Sequence, residues 1–102
     1  MKIKTIDVNA KEWFDKVNGN SYFSAIVTLN YKLSDEKEIK LPFQYGYGEQ
    51  YQFQALKEIK DKFKGMVDGG SLWSYCDNNK IILRTNKEEN CLQREVKAFG
   101  CD

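Results

Sequence analysis

Two alternating runs of the same parity constrain this chain more than any other feature. In the first, Phe23, Ala25, Val27, Leu29, Tyr31 and Leu33 are apolar or aromatic, while Ser24, Thr28, Asn30 and Lys32 between them are polar; Ile26 is the exception. In the second, Ile39, Leu41, Phe43, Tyr45 and Tyr47 share one parity, with Lys40 and Gln44 on the other. A period of two sends successive side chains to opposite faces, so each run reads as a strand with one buried face. Ser34-Asp35-Glu36-Lys37 supplies the turn between them. Both odd-numbered sets share a face only if opposed residues have numbers that add to an even value. That needs an odd loop length or a bulge. Pro42 interrupts the second run and has no N–H to donate, which assigns it to a sheet edge or a bulge.

The period changes at Glu49. Phe53, Leu56, Ile59 and Phe63 recur at helical spacing, with Tyr51 and Ala55 nearby, so a long helix is expected over about 49–64. Glu49 at its start and Lys60, Lys62 and Lys64 near its end suit the helix dipole, and Gly65 is a natural stop. Ser71 caps a short second helix over about 72–79 that puts Leu72, Tyr75 and Cys76 on one face; a strand turning at Asn78-Asn79 is the rival reading.

Ile3, Ile6 and Val8 mark a first strand over residues 2–9. Residues 9–16 read either as a helical turn capped by Asn9 or as a bulged continuation of that strand. Asn18-Gly19-Asn20 is a turn, 80–85 a strand, 86–90 a polar turn, and 92–99 a last strand on the alternation of Val96 and Ala98. The sum is an α+β fold, with an antiparallel sheet of four or five strands packing its odd-facing side on the 49–64 helix. With no linker or repeat in sight, residues 1–102 read as one domain.

The chemistry open to the chain is narrow. It contains no histidine, which removes the usual general base near neutral pH and the ordinary Ser-His and Cys-His pairs. Cys76, Cys91 and Cys101 contain no Cys-x-x-Cys pair, so neither a metal nor another cofactor is expected. Cys76 reads as a small buried hydrophobe sooner than as a reactive thiol. An acid pair such as Asp15 and Glu49 has no spacing that selects it for glycosidase chemistry. Gly46-x-Gly48 before a helix lacks the rest of a dinucleotide fingerprint or a P-loop. Sixteen basic and 15 acidic residues leave a net charge of +1, far from the basic balance of a dedicated duplex binder. Without a signal peptide or an apolar run of about 20 residues, a cytoplasmic protein with no membrane partner is expected.

Recognition is what remains. Residues 42–51, Pro-Phe-Gln-Tyr-Gly-Tyr-Gly-Glu-Gln-Tyr, put three tyrosines and two glycines where the strand pattern gives way to the helical one. Parity assigns Phe43 and Tyr45 to the core. Tyr47, Gly48 and Tyr51 at the corner, joined by Trp13 and Tyr22, are the candidate binding residues. Tyrosines with nearby Lys40, Lys57 and Arg84 also suit single-stranded nucleic acid.

Three segments carry a resemblance: Trp13 to Tyr22 (WFDKVNGNSY), Pro42 to Tyr51 (PFQYGYGEQY) and Leu72 to Asn79 (LWSYCDNN). In this order the chain resembles a group of small uncharacterised proteins of bacteriophages and prophages. The resemblance implies a mobile-element origin and assigns no catalytic residue. Taken with the small size, the missing catalytic apparatus and the Tyr-Gly corner, it leads to a non-enzymatic accessory protein that binds a host protein or nucleoprotein complex, with inhibition of a bacterial defence system such as a CRISPR effector as the sharpest version. A nucleic-acid-binding accessory protein is the alternative, and a small enzyme a remote one.

Overall fold

In the computed structural model, which describes residues 2–101, three strands come first: β1 (Thr5–Asp15), β2 (Asn20–Leu29) and β3 (Lys37–Tyr45). Two helices follow, α1 (Gln50–Lys62) and α2 (Leu72–Asn78), then β4 (Ile82–Glu88) and a third helix, α3 (Gln93–Phe99). The fold is α+β, as the periodicities require, but the sheet is mixed. Its order is β3-β2-β1-β4, with β1 antiparallel to β2 and parallel to β4. The departure from an antiparallel sheet has a topological cause. The chain leaves β3, crosses through α1 and α2, and re-enters beside β1 in the same direction; such crossovers are what parallel pairing needs.

One face of the sheet carries the core. Ile6, Val8 and Ala10 of β1 lie opposite Leu29, Val27 and Ala25 of β2, and of these Val27 and Ala25 oppose Ile39 and Leu41 of β3. All of these are buried, together with Tyr51, Ala55, Leu56 and Ile59 of α1 and Leu72, Tyr75 and Cys76 of α2. The odd-numbered face of the hairpin therefore packs on α1 as its alternation demanded. α2 also starts as expected, with the Ser71 hydroxyl accepting the Ser74 N–H at 3.1 Å.

Several boundaries differ from the sequence pattern. The helix expected as a long one over about 49–64 is the shorter Gln50–Lys62, and it is one of three. β1 runs unbroken to Asp15, in continuous register with β2, so the strand continues through 9–15 as the second reading has it, without the bulge, and the helical turn is absent there. β2 stops at Leu29, because Asn30 adopts a φ of 54° and turns its side chain inward. There its carbonyl accepts the Lys4 N–H and its amide donates to the Lys2 carbonyl and the Asp35 carboxylate. Tyr31 and Leu33, alternating but beyond that stop, are exposed. β4 extends through residues 86–88, where a turn was expected, because β1 offers partners as far as Lys11 opposite Glu88.

The last difference is the largest. Residues 92–99 are not a strand: 93–99 form α3. Leu92, Val96 and Phe99 stand at helical spacing, and the Glu95 carboxylate accepts the Leu92 N–H at 2.9 Å. Val96 is buried, and the Ser24 hydroxyl donates to its carbonyl. Ser24 points away from the core side of β2, so α3 covers the opposite face of the sheet.

Candidate functional site

The site grows from an irregularity in β3. Up to Leu41 the β2–β3 register keeps an even sum, as in Ala25 opposite Leu41; beyond it the sum is odd, as in Phe23 opposite Gln44. A bulge at Pro42-Phe43, facing Ser24, accounts for the change. Each residue beyond the bulge is switched to the other face. Phe43 and Tyr45 therefore leave the core side, which corrects the parity assignment made from sequence. Pro42 is where its chemistry allows it to be, on an edge strand and at a bulge.

The switched residues meet Trp13 and Tyr22. Tyr22 stacks on Phe43 with centroids 5.2 Å apart and on Trp13 at 5.5 Å; Trp13 and Phe43 are 6.2 Å apart. Tyr45 meets Tyr22 edge-on at 5.8 Å. Three strands thus contribute to one aromatic cluster, and the Lys97 ammonium sits 5.3 Å from the Phe43 ring centroid. Offset and edge-on geometries of this kind are the favourable ones for rings.

Clefts flank the cluster on both sides. One, of about 380 Å³, is lined by Trp13, Val17 and Leu92 among others. The other, of about 440 Å³, is lined by Tyr45, Gly46, Tyr47, Gly48, Glu49, Gln50 and Phe53. In the second cleft Tyr45, Tyr47 and Phe53 are 59%, 70% and 56% exposed, which makes this corner a surface and not a core cap. Trp13 and Tyr45 belong to the cluster and to a cleft each, so the apolar band is continuous across this end of the sheet.

The corner is held from beneath. A side chain at Gly46 would collide with the buried Phe23 ring at 2.6 Å, so only glycine lets the backbone lie against that ring. Gly48 has a φ of +60°, and its carbonyl accepts from Lys87 Nζ at 3.0 Å. Lys87 reaches there from β4 while paired with Glu12 of β1 at 3.2 Å, and both side chains are about 15% exposed or less. A mostly buried ion pair between β1 and the edge strand β4 thus fixes a loop that follows the other edge strand, β3.

Of the residues expected at the site, Tyr47 and Gly48 are exposed at the corner, and Trp13 and Tyr22 are half-buried in the cluster. Tyr51 is not at the surface. It is 6% exposed on the inner side of α1, one residue past the helix start, with its hydroxyl accepting from Gln52 Nε2. Phe53, assigned to the core by its spacing, is exposed instead. The helix is rotated so that Tyr51, Ala55 and Ile59 face inward. Sequence reasoning missed Phe43, Tyr45, Phe53 and Lys87. For the first two the signal was Pro42, since a bulge there reverses parity; for Lys87 none existed, because its partners lie on two distant elements.

The titratable groups speak for support roles. The Asp15 carboxyl is held below its usual range, chiefly by the Asn18 side-chain amide, with Asn18 and Val17 N–H groups adding to it. That fixes the turn after β1 and is the wrong direction for a general acid. Burial pushes the Cys76 thiol up to about 11, which opposes nucleophilic use. No protein-family model matches the chain, and neither a curated protein nor a solved structure does. Among the described residues no helix is long and apolar enough to cross a membrane.

Proposed function

We propose that this chain is a non-enzymatic binding protein that engages another protein through the aromatic band at the Trp13–Tyr45–Phe53 end of its sheet. The observation that carries the reading is the exposure of Tyr45, Tyr47 and Phe53 around one cleft, on a corner braced by Phe23 and Lys87. Rigid aromatic side chains with polar tips give large contact area at low entropic cost, which is what binding hot spots use. The resemblance to small bacteriophage and prophage proteins makes a host protein or nucleoprotein complex the expected partner, and inhibition of a defence effector the expected outcome.

Single-stranded nucleic acid is the second reading, favoured by the exposed Tyr45 and Tyr47 rings. Three features weigh against it. Tyr22 and Phe43 turn ring faces to each other, the net charge is +1, and Lys97 and Lys87 are engaged within the protein.

A photo-crosslinking residue at position 47, with one at exposed Asp61 as control, tests the reading in host cells. A discrete protein adduct at 47 and none at 61 is expected, lost in Tyr45→Ala/Phe53→Ala. No protein adduct at 47, with phage immunity unchanged by expression, would sink it. A gel shift with single-stranded DNA at low salt that Tyr47→Ala removes would move the reading to nucleic acid.

A further inference from the structure

The two edges of the sheet are built differently. On β3, Pro42 has no N–H, the bulge breaks the strand's regularity, and Gln44 Nε2 donates to the Pro42 carbonyl at 2.9 Å. β4 has neither proline nor bulge, and pairs with β1 in unbroken register from Ile82 opposite Thr5 to Glu88 opposite Lys11. The Ile82 N–H donates to the Lys4 carbonyl. By the period of two, even-numbered residues of β4 direct their peptide groups to β1, and Leu83, Thr85 and Lys87 direct theirs outward. Beside them lies a groove of about 290 Å³, lined by Trp73, Cys76 and Asp77 of α2 with Ile81, Leu83 and Thr85. An open row of this kind is a template for another strand.

The charges along the edge say which strand. Arg84 lies before the midpoint, and Lys87, Glu88 and Glu89 lie after it; within the chain Arg84 is paired with Asp7, Glu88 with Lys11 at 3.7 Å, and Lys87 with Glu12 and Glu89, which leaves the first half basic and the second net acidic. An antiparallel strand of the same sequence reverses that order, so its acidic end runs beside the basic start. We infer that β4 pairs antiparallel with β4 of a second copy, Thr85 opposite Thr85, making one continuous sheet from two.

This register opposes Leu83 to Lys87, Arg84 to Asn86 and Ile82 to Glu88, with no like charges facing. Arg84 has the second copy's Glu88 and its Arg84 as diagonal neighbours at roughly 7–8 Å, so attraction to Glu88 is set against a like charge that Asp7 already neutralises in each copy. Arg84 uses Nε and Nη2 on Asp7, at 2.6 and 2.9 Å, and Nη1 takes no part in that fork. Centring the axis on Arg84 would face two guanidinium groups; centring it on Asn86 would shorten the overlap to residues 84–88. The axis at Thr85 uses all of β4, and pairs threonines, a favourable cross-strand combination.

Sedimentation from micromolar to millimolar concentration tests the inference on the intact chain. A monomer–dimer equilibrium is expected, weakened at least about tenfold by Thr85→Pro, whose lost N–H serves no bond to β1. In parallel, hydrogen exchange of the Leu83, Thr85 and Lys87 amides in the unsubstituted protein should slow as concentration rises. This arm decides alone if Thr85→Pro fails to fold. A monomer at every concentration, a dimer indifferent to Thr85→Pro, or exchange independent of concentration overturns it. So does protection of those amides by an added peptide while the chain stays monomeric, which would make the occupant a foreign strand.

Discussion

The β3 edge and the β4 edge bound the same sheet, yet they do opposite things with an irregularity. β3 accepts a bulge at Pro42-Phe43, and the bulge both closes the edge and turns Phe43 and Tyr45 to the outer face. β4 stays regular and keeps its outward peptide groups in line. The lesson is that an edge strand can be protected and given a binding surface by the same insertion, because one extra residue reverses the facing of every side chain after it. The regular edge retains pairing capacity instead. Lys87 is the physical link between the two, since it belongs to β4 and holds the Gly48 carbonyl beyond β3.

The strongest way to break the β3 side is Phe23→Ala. The ring is 2% exposed and supports Gly46, so a loss of about 3–5 kcal/mol is expected in urea unfolding. Crosslinking from position 47 should fall with it even under folding conditions. A variant that loses stability but keeps the corner's amide resonances would show that the corner is braced elsewhere.

Lys87→Ala comes next and tests the link itself. It leaves the carboxylate of Glu12, 14% exposed, without its cation and frees the Gly48 carbonyl. The expected loss is about 2 kcal/mol, below that of a fully buried pair because some solvent reaches both groups. The resonances of Tyr47 and Gly48 should shift as well. If only β4 resonances move, the two edges are independent.

A smaller effect is expected from Pro42→Ala, under about 1 kcal/mol, since the change acts mostly on the unfolded chain. The bulge should persist, because Phe43 is held on the outer face by Tyr22 and Trp13. Nuclear Overhauser contacts between Phe43 and Tyr22 report this directly. Their disappearance would mean that proline, and not the aromatic cluster, sets the bulge.

The mildest test concerns the wall of the β4 groove. Burial raises the Cys76 thiol from 9.0 to about 11, so the folded state holds it protonated. The stability that this gives is fully present below about pH 9 and is lost as pH rises through about 11. Alkylation at pH 8 should therefore label exposed Cys101 quickly and Cys76 slowly, by mass spectrometry of the digested protein. Fast labelling of Cys76 would show that α2 leaves the β4 side of the core under native conditions.

Much of this was legible in the chain. The parity of Ala25, Val27 and Leu29 against Ile39 and Leu41 gave the hairpin and its buried face, and the even sum they require is the one observed. The spacing around Leu56 and Ile59 gave α1, and Ser71 gave the start of α2. Tyr47 and Gly48 were legible as a candidate corner because they stand where the alternation ends and the helical period begins. Phe43 and Tyr45 were misread because parity was carried straight through Pro42, although that residue already announced an edge or a bulge. Phe53 and Tyr51 exchanged roles because a helix with apolar residues on more than one side leaves its rotation to its neighbours.

The sequence alone determined which segments alternate, which turn helical and where Pro42 and the glycines interrupt them, because these properties depend on backbone sterics and on side-chain periods of a few residues. It also determined that the chain carries no imidazole. Only the tertiary structure decided that β4 joins β1 in parallel, that α3 is a helix covering the far face, that Phe43 and Tyr45 face outward, and that Lys87 reaches Gly48. Each of those outcomes depends on contacts between residues far apart in the chain. Local pattern carries no information about which distant partner will supply the missing hydrogen bond, the opposing charge or the covering surface.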